Sequence, residues 1–490
     1  MAKITTIIDI GSNSMRMVVF KKTSRFAFHL INETKSKVKI SQDCYLNNGN
    51  LQEKPMKRAF DALESFLNIA NNLKSRKILC IATSALRDAP NAKIFINKVK
   101  KELKLNIKII DGDKEAYLGA VAVNNLIHID NCITVDIGGG STEFAIIQNN
   151  KIEKTISLKI GTVRLKELYF NKHDLKGAKK YILKQLELLD DKFKQFSTVI
   201  GLGGTARALS RVIIQNNNYP FDALHGFEFN VNNNKQLFTN IINAKSNEEL
   251  KSLGIRKDRY DTIQTGTFIF HTILEYLQSK KVITSGVGIR EGVYLTDILR
   301  TSNHKFPANF NISVRSLLDR FVDDTTHTSY LGNNISKLFD ALAPLHNLDI
   351  KYKSILIISA KLQQIGISLN FYKNSVHSSN FILNGLSYNF THKERILIAT
   401  IIRYSKKDLP KEDDIEIYKE LLPSLNTLQW LSYLHSLNKI LNSEFLKQKY
   451  TYILKDNIFQ IISPKEHYII QRGLQKLKKP AKFELQLIRN

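Results

Sequence analysis

Cysteine is scarce: Cys44, Cys80 and Cys132 are the three in 490 residues, far apart and without a Cys-x-x-Cys pair. That excludes a disulfide framework and a thiolate metal site, and it suits buried small hydrophobes in a reducing compartment. No apolar run approaches the ~20 residues that a bilayer span requires. Met1-Ala2-Lys3 leads straight into a strand pattern, leaving no room for a signal peptide. The expectation is a cytoplasmic protein with no membrane association. No Gly-x-x-x-x-Gly-Lys-Ser/Thr stretch occurs, so a P-loop is not supported. Low-complexity tails and short tandem repeats are missing too. Acidic residues run short as well, 45 Asp+Glu against 72 Lys+Arg, leaving a net charge of +27. Such a surplus either coats the surface evenly or gathers a polyanion, and charge alone does not choose. With 43% apolar and 24% charged residues the composition is that of a globular chain, long enough for about three domains.

What is present is a repeat. The run from Ile7 through Asp9, Gly11, Ser12, Asn13 and Ser14 to Val19 returns from Thr134 through Asp136, Gly138, Gly139, Gly140 and Ser141 to Ile146, with Asp136 following Asp9 by 127 residues (136 − 9). Each copy reads as a strand, an Asp, a small-residue turn and a second strand, the pattern of a β-hairpin. Glycine admits φ > 0 and close approach, and successive amides with small hydroxyls make a nest for an anion. Two such turns facing one another would grip a phosphate chain from both sides. Each Asp would hold a cation or orient water, or else bond its own turn amides.

Between and after the hairpins, strands alternate with helices. Helical spacing covers Pro55 to Leu73, strand runs cover Lys77–Ala82 and Ile107–Ile110, and Thr83–Asn91 reads as a loop. A helix ends near Leu103, and another follows the turn at Asp111-Gly112. In the second half a helix spans Leu175–Phe193, and the strand Thr198–Ile200 enters the turn Gly201–Arg207. The strand Val282–Thr284 enters the Gly-rich turn Ser285–Gly292, which launches a helix. This alternation implies mixed α/β layers. Gly201-Leu202-Gly203-Gly204-Thr205-Ala206 fits a dinucleotide-binding Gly-x-Gly-x-x-Ala, yet no strand ending in an acidic residue follows ~20 residues on, so a Rossmann site is set aside. Thr301–Pro307 reads as a linker. Beyond it helical periodicity dominates, with a late hairpin pattern over Tyr450–Ile462.

Taken together, the ordered pieces Ile8–Ser14, Ala82–Ala89, Glu115-Ala116, Asp136–Glu143, Gly203–Thr205 and Gly286–Gly292 resemble the exopolyphosphatase/guanosine pentaphosphate phosphohydrolase (Ppx/GppA) family of the actin/hexokinase superfamily. The resemblance implies an α/β fold of two duplicated ribonuclease H-like (actin-like ATPase) domains with an interdomain cleft, followed by a mostly α-helical, degenerate HD-like region. The corresponding domains are 1–125, 126–300 and 308–490. It assigns Glu115 as the general base that activates water, a role that a first-turn Glu would not otherwise suggest. Arg87 offers a planar, permanent charge to phosphate. Gly11, Ser12, Asn13 and Ser14, Gly138, Gly139, Gly140 and Ser141, and Gly204 and Thr205 would contact the phosphates. Asp136 and Glu143, with Asp9, would serve Mg²⁺, a hard cation that takes carboxylate, water and phosphate oxygens.

The implied activity is Mg²⁺-dependent release of orthophosphate from the terminal phosphoanhydride of inorganic polyphosphate, and/or conversion of guanosine pentaphosphate (pppGpp) to ppGpp. A homodimer is expected, and no sequence-specific nucleic acid. In the C-terminal region Gln363-Gln364 stands where an active HD domain has His-Asp, and Ser405 where a histidine belongs. His327 and His377 alone make a poor metal site. Lys351, Lys353, Lys373, Lys406 and Lys407 are candidates to line a basic channel. Two other readings compete: an ATP-dependent phosphotransferase, and a silent polyanion-binding regulator.

Overall fold

A computed structural model describes residues 4–489, which divide into two compact units, 4–310 and 311–489. In the first unit β1 (Ile4–Ile10), β2 (Met15–Lys22) and β3 (Phe28–Ser36) form an antiparallel meander. β4 (Lys77–Ala82) and β5 (Ile107–Ile109) extend it in parallel, giving the order β3-β2-β1-β4-β5. The second sheet repeats this plan. β6 (Cys132–Ile137), β7 (Thr142–Gln148) and β8 (Lys151–Leu158) form the meander. β9 (Thr198–Leu202) and β11 (Lys281–Thr284) run parallel to β6, and the short β10 (Glu228–Asn230) closes the edge. Because β1 and β6 are central and covered on both faces, they read as continuous Ile/Val/Thr runs. Ile7, Ile8, Ile10, Ile133 and Val135 are all fully buried.

The helices exchange sides. Helix Gly112–Leu126, expected within the first domain, packs on the second sheet: Ala120, Val123 and Ile127 share a core with Cys132, Ala145, Ile200 and Ile283. Helix Ile289–Ile298 packs back on the first, where Tyr294 stacks on Phe20 at 4.5 Å and meets Phe28 edge-on at 4.6 Å. A boundary at residue 125 therefore cuts through shared packing. The two helices cross at Gly292, where a Cβ would lie 1.9 Å from the carbonyl oxygen of Leu118.

Other differences from the sequence reading have local causes. Ser84–Arg87 forms a helical turn within the expected loop. The helix from Leu175 stops at Leu186. Residues 301–307, expected as a linker, are fastened to the first unit. Asn125 bonds His304 and Phe306, Tyr117 bonds His304, and Phe306 and Phe310 meet Phe26. The three cysteines are buried and free.

The second unit is helical around a core that includes Leu338, Leu356, Ile398, Leu431 and Leu434. Its hairpin, β12 (Thr451–Lys455) and β13 (Ile458–Ser463), is joined by a parallel strand, β14 (Glu484–Arg489), that periodicity did not announce. Ser405 accepts or donates at 3.0 Å to Nδ1 of the buried His435, whose imidazole burial pushes down to about 4. His327 lies against Phe445 at 5.2 Å. Lys351 and Lys353 are paired with Asp349 and Asp340, at 3.1 and 2.6 Å. Among the described residues no helix is long and apolar enough to cross a membrane.

Replacing Gly292 with Ala forces a methyl onto backbone that cannot yield. The expected result is a loss of about 1–3 kcal/mol, seen as a lower thermal unfolding midpoint. An unchanged midpoint would contradict the close crossing.

Candidate active site

The two hairpin turns meet. A Cβ on Gly139 would fall 2.6 Å from the Cβ of Ser12, and one on Gly140 would fall 2.8 Å from Ser84 Oγ and 2.6 Å from the Tyr45 hydroxyl. Ser12 and Ser84 are themselves 3.2 Å apart through their hydroxyls. Glycine at 139 and 140 is thus required by the approach of the other half. None of Gly11, Gly138, Gly139 or Gly140 has a positive φ, so the left-handed backbone expected of these turns is not what selects glycine there. Gly203 is the exception in the site, with φ +77°, where a Cβ would also strike Asp136 Oδ1 at 2.5 Å. It opens helix Gly203–Asn216 directly, so Gly203 to Thr205 form a helical N-terminus, a favourable setting for an anion.

Between the turns lies a cleft lined by Asp9, Gly11–Ser14, Glu115, Asp136, Gly138, Gly139, Glu143, Gly204 and Thr205. Of the residues singled out from the sequence, Gly140, Ser141 and Arg87 do not line this cleft, and Arg87 meets it through Glu115. Arg87 donates from Nη1 to Glu115 Oε2 at 2.9 Å and from Nη2 to Ser141 Oγ at 3.4 Å. Glu115 is in the first turn of helix Gly112–Leu126, whose N-cap Asp111 accepts from the Lys114 amide at 2.7 Å.

Strand register explains how one repeated pattern gives two chemistries. Asp9 pairs across its hairpin with Arg16, and Asp136 pairs across the other with Glu143. Each partner stands seven residues after its Asp (16 − 9 and 143 − 136). The first hairpin therefore offers a cation beside its carboxylate, and the second offers a second carboxylate. Ser157 Oγ fixes Glu143 Oε1 at 2.8 Å.

The carboxylates are crowded. Burial, opposed by Arg290 and Arg16 and reinforced by Asp136, raises Asp9 to about 6. Burial also raises Asp136, against the pull of Arg207, Arg290 and Arg16. Glu115 and Glu143 are both raised, by burial first, and Glu115 also by the charge of Glu143. Among the described residues no three Asp, Glu, His or Cys side chains converge on a ready-made metal site. The donors are nevertheless all hard oxygens, buried and crowded against one another. That chemistry fits a cation completing its shell with phosphate oxygens and water.

Sequence reasoning missed four arginines that line the same cleft: Arg16, Arg207, Arg259 and Arg290. Arg16 and Arg290 share Glu33, at 3.0 and 3.7 Å, and Arg290 Nε is buried without a partner. Burial beside Arg16 and Arg290 lowers Arg207 to about 10. A Cβ on Gly204 would meet the Arg259 guanidinium at 2.3 Å. Three of the four sit inside recognised motifs, and the seven-residue hairpin spacing was the available signal for Arg16. Arg259 ends the short 3-10 turn Lys257–Arg259, which has no sequence pattern of its own. Ion pairs Lys35–Asp258 at 3.4 Å, Lys37–Asp261 at 2.8 Å and Lys39–Asp261 at 2.9 Å tie the two halves together outside the cleft.

The model of the Ppx/GppA phosphatase family matches residues 18–301. A bifunctional 3-dehydroquinate synthase/phosphatase from Fusobacterium nucleatum is 34% identical over 298 residues, 57% of this chain and 44% of that relative's length. This chain thus spans less than half of that relative. A guanosine-5'-triphosphate,3'-diphosphate pyrophosphatase from Photobacterium profundum is 27% identical over 414 residues, 82% of this chain and 80% of that protein. Among solved structures, the Aquifex aeolicus member of the Ppx/GppA family matches with TM-score 0.52 and 27% identity, over 62% of this chain and 99% of its own. An exopolyphosphatase from Cytophaga hutchinsonii matches in fold with TM-score 0.56 and 24% identity, over 60% of this chain and 98% of its own.

Raised carboxylates destabilise the ligand-free protein. Between pH 3.8 and about 6 native Asp9 keeps a proton that the unfolded chain has lost, so its contribution to stability falls as pH rises and is lowest above 6. With divalent cations chelated, Asp9→Asn should raise the unfolding midpoint at pH 8 by a gain on the order of 1–2 kcal/mol, discounted for partial exposure to the cleft. The gain should shrink as pH drops below 6. A midpoint lowered at pH 8 would contradict the crowding.

Proposed function

Because this chain belongs to the Ppx/GppA phosphatase family, we propose that its cleft hydrolyses a terminal phosphoanhydride and releases orthophosphate. In this reading the two sheets are duplicated actin-like halves and the substrate lies between their turns. The observation that carries it is the 2.9 Å bond from Arg87 to Glu115 beside two glycine-serine turns in contact with one another.

Phosphoryl transfer demands little covalent work from a protein and much positioning. Amides and hydroxyls of Gly11–Ser14 and Gly139–Ser141, with the helix start at Gly204 and Thr205, hold non-bridging oxygens, while the Gly138 amide donates to the Ser141 carbonyl at 2.9 Å. Glu115, lifted by burial and restrained by Arg87, takes a proton from water at Oε as that water attacks the terminal phosphorus. The proton then resides on Glu115, and the shortened chain leaves as the P–O bond breaks. Arg87 balances the charge that builds on the terminal phosphoryl group. Asp136 and Glu143, with Asp9 acting through water, would hold Mg²⁺, which when bound supplies charge neutralisation on the phosphate oxygens.

Arg16, Arg207, Arg259 and Arg290 favour a substrate whose negative charge continues past the terminal group. Inorganic polyphosphate is the first choice, with the 5'-γ-phosphate of guanosine pentaphosphate close behind. An ATP-dependent phosphotransferase would need an acceptor and an adenosine pocket, and a silent polyanion sensor would bind without turnover.

A phosphate-release assay with Mg²⁺, comparing polyphosphate, guanosine pentaphosphate and ATP side by side, tests the reading. Release from either of the first two without an acceptor is expected. Binding without release would favour the sensor, and release from ATP alone would overturn the substrate class. Glu115→Gln should lower turnover by about 10²–10⁴-fold with binding largely kept. Arg87→Ala should weaken binding and rate together. Undiminished turnover in Glu115→Gln would mean that another group is the base.

A further inference from the structure

Arg164 and Asp88 do not line the cleft, yet both are fixed by more than a surface pair needs. Arg164, on helix Thr162–Leu168, donates from Nε to the Gly140 carbonyl at 2.9 Å and from Nη2 to Asp88 Oδ2 at 2.8 Å. Its guanidinium lies 4.5 Å over the Tyr45 ring. The other oxygen of Asp88 faces Arg87 Nε at 3.6 Å. Arg87 reaches onward to Glu115 and to Ser141, the residue after Gly140.

These contacts close a ring. It runs from Gly140 to Arg164, Asp88, Arg87 and Ser141, and so back along the chain to Gly140. Asp88 and Arg87 belong to the first half, and Gly140, Ser141 and Arg164 to the second. We infer that Asp88 and Arg164 are positioning residues that set Arg87 against Glu115 only while the two halves are together. This rests on the reading of the cleft given above. Separation of the halves would take Arg164 from Asp88 and Ser141 from Arg87, leaving Arg87 only its 3.3 Å bond to the Ile110 carbonyl and its neighbour Asp88.

An exposed ion pair contributes little to stability, and ordinary surface pairing would leave the reaction untouched. Here Arg164 is 13% and Arg87 20% exposed at the side chain. The planar fork is used in two directions at once, which a lysine ammonium cannot copy.

The test is a cycle of Asp88→Asn, Arg164→Gln and the double variant, assayed for phosphate release from polyphosphate with Mg²⁺, with thermal midpoints and polyphosphate binding measured alongside. Misplacing Arg87 by about an ångström should cost on the order of 10²-fold in kcat, with a smaller rise in KM. The double variant should fall no further than the worse single variant, because both act through one brace. Arg164→Lys, which preserves the charge, should recover only part of kcat. Multiplying effects, a rise in KM with kcat kept, or full activity in Arg164→Lys would each overturn the inference. Should Arg164→Gln fail to fold, the Lys variant with Asp88→Asn decides the same question. A parent protein that releases no phosphate from any substrate would overturn the hydrolase reading itself, which is a separate outcome.

Discussion

Four carboxylates share one cleft whose burial disfavours ionising them all. Asp9, Glu115, Asp136 and Glu143 are each held above their ordinary range, by burial first. Arg16, Arg207 and Arg290 answer part of that charge from one side, and Arg87 answers it at Glu115. Burial outweighs these pairings, and the cleft is left electrostatically incomplete. A phosphate chain with a hard cation would complete it, phosphate satisfying the arginines and the cation satisfying Asp136 and Glu143. Stability and function pull in opposite directions here, as at many sites built for charge.

The backbone makes this incompleteness persist. Two hairpins of the same plan place an Asp at the end of each central strand, and exchange of helices between the sheets locks Glu115 beside the second hairpin. Glycine is spent where two halves touch: at Gly139 and Gly140 against Ser12 and Ser84, and at Gly292 against Leu118. Among the described residues, only Gly203 combines close approach with a backbone conformation that other residues avoid.

Much of this was legible in the residues. The hairpins announced themselves by β-branched runs around small-residue turns, and the strand Lys77–Ala82 and the end of a helix at Leu103 lie where their patterns put them. Four things were hidden. Helix Gly112–Leu126 has apolar residues on most faces, so its periodicity could not say which sheet it joins. Residues 301–307 look like a linker because their anchors, Asn125 and Tyr117, lie far away in sequence. The arginines were read singly within motifs, whereas their meaning comes from converging with one another. The parallel strand Glu484–Arg489 alternates too weakly to stand out before its partner β13 is known.

The central claim is that the two turns hold one phosphate group where Glu115 can deliver water to it. A crystal structure of Glu115→Gln with a short polyphosphate and Mg²⁺ tests this most directly. The account predicts the terminal phosphate between Gly11–Ser14 and Gly138–Ser141, within hydrogen-bond reach of Arg87, with a water between it and the residue 115 side chain. A terminal phosphate seated away from either turn, with residue 115 out of reach of its phosphorus, would contradict it.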